Sequence, residues 1–252
     1  MIPVLPSTID EVLIELDKIC TESIEKNNYL GIFAYVYLRT TAQIRQGIID
    51  RIFDNNERME KMDVSFANKY LEAYHLFNQN ETCSKAWHVP FLARKEKLTI
   101  LQHLLMGMNA HINLDLAIAA SGIAPGDEIN SLKNDFMKVN DILAGLTDEM
   151  QTKTNRISWW MFLLDWVGGN TDEAVINFSM IKAREASWEL ACILAPLDNT
   201  SKLKKINEAD NVISTLAGII KHPPGLLLRN VLRFISRFEE KDVKKIMNGL
   251  KS

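Results

Sequence analysis

The segment LLMGMNAHINLDLAIA, residues 104–119, places polar side chains that could do chemistry in an otherwise apolar stretch. His111 and Asp115 are four residues apart, so in a helix they lie on one face, one turn from each other. Asn109 and Asn113 have the same spacing but lie on nearly the opposite side. An imidazole beside a carboxylate can bind a divalent metal, transfer protons or anchor a ligand, or fix helix packing through hydrogen bonds. All three interpretations stay open, and the structural one is the most ordinary.

Apolar residues occupy every side of this predicted helix, which we place at about residues 97–120. A helix that is apolar all round is a buried helix, so we expect it to be central in the fold. An unpaired buried amide costs roughly 1–3 kcal/mol, and an unpaired carboxylate costs more. Asp115 should therefore meet a cation, a metal or several donors. Asn109 and Asn113 should each be hydrogen-bonded.

Polar residues at other positions could complete the centre. The predicted ligands of a divalent metal are His111, Asp115, His103 and Asp135. Arg184 is the predicted cation that meets Asp115 or Asp135. Trp188 lies four residues after Arg184, where a guanidinium can stack on an indole.

The residues predicted to bind a small molecule are Asn109, Asn113, Asn140, Arg184, Trp188, Asp63 and Tyr70. Asp63 shares a predicted helix face with Tyr70, which indicates a carboxylate at the edge of an aromatic stripe. A solvent-facing acid near a helix N-terminus is an equally good interpretation of Asp63. Asn140, like Asp135, flanks an apolar arc, and such boundary positions are more often hydrated than functional.

The elements that position these residues are predicted to be helices. Apolar residues recur at spacings of three and four along almost every long segment, and the chain has only 11 glycines and 7 prolines. No alternating segment predicts a strand. We expect an all-α, single-domain bundle of about ten helices around a central buried helix. The domain would span 1–252, with a core at 1–195 and a C-terminal helical layer at 196–252.

Composition excludes several classes of function. The net charge of −3 gives no electrostatic basis for nucleic-acid binding. No apolar run reaches the ~18 residues of a transmembrane segment. The three cysteines fit no metal-binding spacing, and we expect reduced thiols in a cytoplasmic protein. The sequence contains neither a glycine-rich phosphate loop nor a nucleophile elbow.

Two amphipathic stretches could form surfaces. SWWMFLLDWVGG, residues 158–169, is predicted to be core or the wall of a groove. GLLLRNVLRFISRF has Arg229, Arg233 and Arg237 on one face. Its other face is predicted to comprise Leu228, Val231, Leu232, Phe234 and Ile235. A hydrated arginine face over a core-facing stripe is the ordinary interpretation, and peripheral contact with an anionic membrane or a partner protein is the alternative.

Six segments stand in a distinctive order: GIFAYVYLRTT, MDVSFANKYLEAY, AWHVPF, LQHLLMGMNAHINLDLAIA, NDFMKVNDIL and AREASWELA. In this order they resemble an uncharacterised all-helical bacterial family, domain of unknown function 5995, and NAHINLDL is the most specific part. The resemblance implies a helical protein with a shared polar centre, and it implies no activity. By position that centre would comprise Asp63, Tyr70, Trp87, His103, Asn109, His111, Asn113, Asp115, Asp135, Asn140, Arg184 and Trp188.

The sequence thus predicts a helical protein with a small-ligand or divalent-metal site at its polar centre. In the metal interpretation the ion would activate water for hydrolysis, and Asp135 or His103 would complete the ligand set or act as base. The alternative is a non-catalytic scaffold or partner-binding protein whose polar centre is purely structural. No catalytic residue is assigned from sequence.

Overall fold

The computed structural model describes the backbone of residues 4–157 and 180–251, and the side chains of residues 4–143 and 182–250. This part of the chain is all-α and contains no strand, which confirms the predicted fold class. Its helices are α1 (Ile9–Glu25), α2 (Leu30–Ile49), α3 (Asn56–Asn78), α4 (Lys85–Ala93), α5 (Ile100–Ala110), α6 (Leu116–Ile123), α7 (Ile129–Ile157), α8 (Met180–Leu194), α9 (Asn199–Lys221), α10 (Leu226–Phe238) and α11 (Val243–Lys251). The predicted groove-wall segment at 158–169 lies outside the described residues.

A π-helical turn, His111–Asp115, joins α5 to α6. The three pieces form one continuous helix, so the described residues hold ten separate helices, in agreement with the predicted number. A short 3-10 turn, Gly126–Glu128, precedes α7.

Side-chain caps define where several helices begin. Asn55 accepts a hydrogen bond from a backbone N–H in the first turn of α3, and Ser84 does the same for α4. Thr99 and Gln102 form a reciprocal capping box at the start of α5. Such caps satisfy backbone groups that a helix end leaves unpaired, and each contributes about 1 kcal/mol. Gln102 also donates to the carbonyl of Ile220, which fastens α5 to the end of α9.

The continuous helix from α5 to α6 packs against α2, α3, α4, α7, α8 and α9. Its approach to α2 depends on Gly107. A Cβ at this position would lie 2.6 Å from the ring of Phe33, closer than any real contact allows. Glycine therefore lets the Phe33 ring lie flat against the helix, one turn before the π turn.

The last two helices are held in different ways. Leu228, Leu232 and Ile235 of α10 form a small buried cluster beside α5. The apolar face of α11 enters the main core and packs against α1, α2 and α7. Among the described residues, no helix combines the length and apolar character that crossing a membrane requires.

Candidate functional site

The π turn brings His111 and Asp115 into direct contact. Nδ1 of His111 lies 3.0 Å from Oδ2 of Asp115. The Trp87 indole Nε1 of α4 donates to the same oxygen at 2.8 Å. The backbone N–H of Leu116 bonds to the carbonyl of His111, five residues back, so the turn holds one residue more than an α turn. Single π turns of this kind are frequent at functional sites.

Burial decides the charge state of this pair. Both residues are almost completely buried. Burial raises the pKa of the Asp115 carboxyl well above its usual value, and the Trp87 hydrogen bond partly offsets this rise. Burial also holds the pKa of the His111 imidazole well below its usual value, so the ring is neutral at neutral pH. When Asp115 is ionised, its bond to Nδ1–H leaves the lone pair of His111 on Nε2.

Aromatic rings fix the plane of this imidazole. Phe66 of α3 stacks on His111 with ring centroids 3.6 Å apart and planes 9° apart. Tyr37 and Phe33 of α2 meet it edge-on at 4.3 and 5.6 Å. The imidazole ring cannot turn without displacing these neighbours, so the orientation of its Nε2 atom is fixed. No hydrogen-bond partner for Nε2 exists among the described residues.

His111 lines a cavity of about 80 Å³ between α2, α3, the continuous α5–α6 helix, α7 and α8. Most of its wall is apolar and includes Met59, Met62 and Met108. The polar residues of the wall are His111, Asp63, Tyr37, Thr40 and Arg184. A largely apolar cavity with a few convergent polar groups is the usual form of a small-ligand site.

Two more buried polar atoms of this wall lack a hydrogen-bond partner in the part of the chain that the structure describes: Oδ2 of Asp63 and the hydroxyl oxygen of Tyr37. Burial, and secondarily the charge of Glu60, raises the pKa of Asp63 to about 7. Burial also raises the pKa of Tyr37 well above its usual value, and the charge of Asp63 adds to this rise. The Thr41 hydroxyl opposes it, although the two hydroxyl groups do not meet in hydrogen-bond geometry.

Arg184 of α8 is the cation of the cavity wall, and it is only 5% exposed. Its Nε donates to Oδ1 of Asn140 at 2.5 Å, and Nη2 donates to the carbonyl of Phe136 at 2.6 Å. The guanidinium also lies 4.5 Å from the centroid of the Phe136 ring, which packs against Trp188. Burial lowers the pKa of Arg184 to about 9, so it stays charged at neutral pH.

No carboxylate of the described residues forms an ion pair with Arg184. The prediction that Arg184 meets Asp115 or Asp135 is therefore wrong. Asp115 is satisfied by Trp87 and His111. Asp135 accepts hydrogen bonds from Arg58 and from two backbone N–H groups just before α3.

The other two predicted metal ligands lie apart from the His111–Asp115 pair. Asp135 is occupied by the donors at the start of α3. His103 precedes His111 by two turns, about 12 Å along the helix axis. Its Nε2 lies 3.2 Å from the carbonyl of Glu96, and its ring stacks on Tyr29 at 4.4 Å. Among residues that the structure describes, no three His, Cys, Asp or Glu side chains are grouped to hold a metal ion.

Asn109 and Asn113 hold α9 in place and do not line the cavity. Asn113 donates to Oδ1 of Asn109 at 3.0 Å, and Asn109 donates to the carbonyl of Ile213 at 2.9 Å. Tyr70 lies behind the site, 4.8 Å from Trp87 between ring centroids. The structure thus brings Asp63, His111 and Arg184 to one cavity. Asn140 contacts this cavity only through its hydrogen bond with Arg184, and the other two amides and Tyr70 lie outside the lining.

Sequence reasoning missed Tyr37 and Phe66 as site residues. Both lie in segments that read as ordinary amphipathic helices, and only tertiary packing directs them at His111. The signal available was the spacing of Phe33 and Tyr37, four residues apart on one face of α2.

The arginine helix α10 has the predicted faces with one correction. Leu228, Leu232 and Ile235 are buried, and the three arginines are exposed. Phe234, predicted on the core-facing side, is 41% exposed. A helical-wheel projection explains this exposure, because Phe234 lies between the buried stripe and the arginines.

Comparison with known proteins gives a family and no activity. No curated protein and no solved structure matches the chain. The family described as "Family of unknown function (DUF5995)" matches residues 9–223. This range includes every residue of the cavity wall and ends before α10, and we conclude that the chain belongs to that family.

Proposed function

We propose that the cavity beside His111 binds a small organic molecule and that this binding is the core of the protein's function. The observation that carries the proposal is the set of unpaired buried polar atoms in one apolar wall: His111 Nε2, Asp63 Oδ2 and the Tyr37 hydroxyl. Each such atom costs roughly 1–3 kcal/mol when it has no partner. A ligand that offers a donor or an acceptor recovers part of this cost on binding.

The size of the cavity limits the ligand. Its volume of about 80 Å³ is roughly half that of the ~150 Å³ engineered cavity that binds benzene. The enclosed part of the ligand is therefore a short group of a few atoms. Val36, Thr40 and Ile112 of the wall are only half-buried, so a longer molecule has room to extend past them.

The His111–Asp115 pair adds a chemical role to binding. When Asp115 is ionised, Nδ1 of the neutral imidazole is held by a carboxylate and Nε2 has no partner among the described residues, which is the arrangement that general bases use. The described wall contains no serine or cysteine that could act as nucleophile. Proton transfer to or from a bound molecule is thus the reaction class that these residues fit.

Binding is tested with three methionine methyl groups of the wall as reporters. In the parent protein, we expect at least one of propionate, n-propanol and n-propylamine to shift the methyl NMR signals of Met59, Met62 and Met108. Val36→Phe fills the cavity and should abolish the shifts. Leu38→Phe adds the same ring on the same helix, away from the cavity, and should preserve them. Absence of any shift at high millimolar probe would refute the proposal.

A metal-dependent hydrolase is the second candidate. His111 Nε2 and the Asp63 carboxyl line the same cavity, and both are ligand types that Zn²⁺ accepts. Elemental analysis of untagged protein tests this candidate. One equivalent of bound metal that is lost in His111→Ala would support it, and a metal-free protein as purified would count against it.

The structural alternative makes a distinct prediction. If His111 only fixes helix packing, His111→Ala will lower the free energy of unfolding by several kcal/mol and leave probe binding unchanged in the fraction that folds. Under the binding proposal, the same variant changes the NMR response to the probes. Measuring both quantities on one variant separates the two interpretations.

We also propose that α10 contacts an anionic membrane surface. It carries Arg229, Arg233 and Arg237 and no acidic residue, in a chain whose net charge is −3. Beside the arginines, Leu226 is 74% exposed and Leu227 is 54% exposed. Exposed apolar side chains next to a basic stripe are typical of helices that lie in a membrane interface.

Sedimentation with phosphatidylserine vesicles tests this contact. We expect binding at low salt that weakens as salt is added, and a loss of binding in Arg233→Glu. Lys204→Glu makes the same charge change on the exposed face of α9 and should bind like the parent. Failure to sediment at low salt would rule the contact out.

A further inference from the structure

The charge of Arg184 has no counter-charge in the described part of the cavity wall. The guanidinium is almost completely buried, and its protein partners are an amide oxygen and a backbone carbonyl, which are both neutral. Within the described residues, this guanidinium donates through Nε and Nη2. Buried arginines are normally paired with a carboxylate, because an isolated buried charge is costly.

The carboxyl group of Asp63 does not supply this counter-charge. It lines the same cavity, yet it forms no ion pair with Arg184, and its Oδ2 has no partner among the described residues. The influences that act on it are burial and the neighbouring Glu60. The cavity thus has a cation on α8 and a separate carboxyl on α3, in a wall that is otherwise mostly apolar.

Three contacts with Asn140 and Phe136 hold the guanidinium in a fixed orientation. Asn140 and the Phe136 carbonyl each take one N–H direction, and the Phe136 ring covers one face of the group. A fixed, desolvated guanidinium is well suited to a planar oxyanion, since it loses little entropy when the anion binds.

From this we infer that the ligand of the cavity is a short-chain monocarboxylate, with its carboxylate on Arg184 and its aliphatic part against the apolar wall. The inference rests on the proposed function and names the class of molecule that it binds. A single negative charge matches the single cation of the described wall. The apolar remainder matches the methionine and phenylalanine side chains of the same wall.

The test compares propionate, n-propanol and inorganic phosphate by titration of the same methionine methyl signals in the parent protein. We expect propionate to bind on the order of tenfold tighter than n-propanol, because a charge-assisted hydrogen bond replaces a neutral one. Phosphate, which has no apolar part, should bind weakly. If n-propanol equals propionate, or if phosphate binds as tightly, the monocarboxylate assignment is overturned.

Substitutions in α8 test whether Arg184 causes the preference for propionate over n-propanol. Arg184→Gln should bring the propionate and n-propanol affinities to within a few-fold of each other. Lys182→Gln removes one positive charge at an exposed position of the same helix and should keep the preference. An Arg184→Gln protein that retains the preference would overturn the assignment. Should that variant not fold, the ranking of probes in the parent protein still decides.

The outcomes separate the two proposals. If no probe shifts the methionine signals, the small-molecule site itself fails. If n-propanol and propionate bind equally and Val36→Phe abolishes both, the site stands and the carboxylate inference alone fails.

Discussion

The indole nitrogen of Trp87 donates a hydrogen bond to Oδ2 of Asp115, across 28 residues of sequence, and this bond joins α4 to the π turn between α5 and α6. The same oxygen faces Nδ1 of His111. The bond therefore fixes the carboxyl group that in turn fixes the imidazole of the candidate site. The sequence suggested a cation, a metal or several donors for Asp115, and in the structure its partners are the Trp87 indole and the His111 imidazole.

Trp87→Phe should destabilise the protein by roughly 1–3 kcal/mol, because Asp115 loses a donor that cannot be replaced by water. Urea unfolding measures the change. Part of the loss comes from the smaller ring, so a double-mutant cycle with Asp115→Asn isolates the bond. We expect a coupling energy above ~0.5 kcal/mol, and additive effects of the two substitutions would contradict it.

Asp63 should make the protein less stable as the pH rises. Its pKa is about 7 in the folded protein and ~3.9 in an unfolded chain, so the folded state binds more protons between these values. The stabilisation is complete below pH ~4 and is lost as the pH rises to about 7. Relative to Asp63→Asn, the parent should lose on the order of 2–4 kcal/mol over this range. If the free energies of unfolding of the two proteins change with pH in the same way, this prediction is wrong.

His103 should produce the opposite trend. Burial lowers its pKa to about 4, against ~6.5 in an unfolded chain, so the unfolded state binds more protons in between. Stability should therefore fall as the pH is lowered from about 6.5 towards 4. His103→Gln keeps a donor for the Glu96 carbonyl and should flatten this part of the profile. His222→Gln, at an exposed position, is the control and should leave the profile unchanged.

Gly107→Ala should disturb the site through Phe33. The added Cβ would meet the Phe33 ring at 2.6 Å, and Phe33 in turn contacts His111. We expect a loss of about 1–3 kcal/mol in stability together with weaker probe binding. Gly122→Ala, in α6, meets nothing within 4 Å and should be neutral or stabilising by up to ~1 kcal/mol. Equal behaviour of the two variants would argue against the role of Gly107.

The helical fold and the contact between His111 and Asp115 could be predicted because both follow from local spacing. Periods of three and four residues indicate helices, and positions four apart share a face in a helix as they do here across the π turn. The partners of these residues could not be predicted, since Trp87 reaches Asp115 through the packing of α4. Arg184 was expected to meet a carboxylate because paired charges are the general rule.

His103 shows a different limit of sequence reasoning. Its spacing from His111 places it near the same helix face, but two turns of helix carry it to a separate contact with Tyr29 and the Glu96 carbonyl. Spacing thus gives the shared face and the separation along the helix axis, but it does not give the groups of other helices that each residue meets.

The extra residue in the π turn changes the rotation of α6 about the helix axis relative to α5. An α-helix advances about 100° per residue, so one inserted residue rotates α6 by that angle relative to an uninterrupted continuation of α5. In the structure, α5 packs against α2, α4 and α9, while α6 packs mainly against α3 and α8. A chain shortened by one residue between Ala110 and Leu116 could satisfy one of these two sets of neighbours but not both, so this single residue couples the two halves of the bundle.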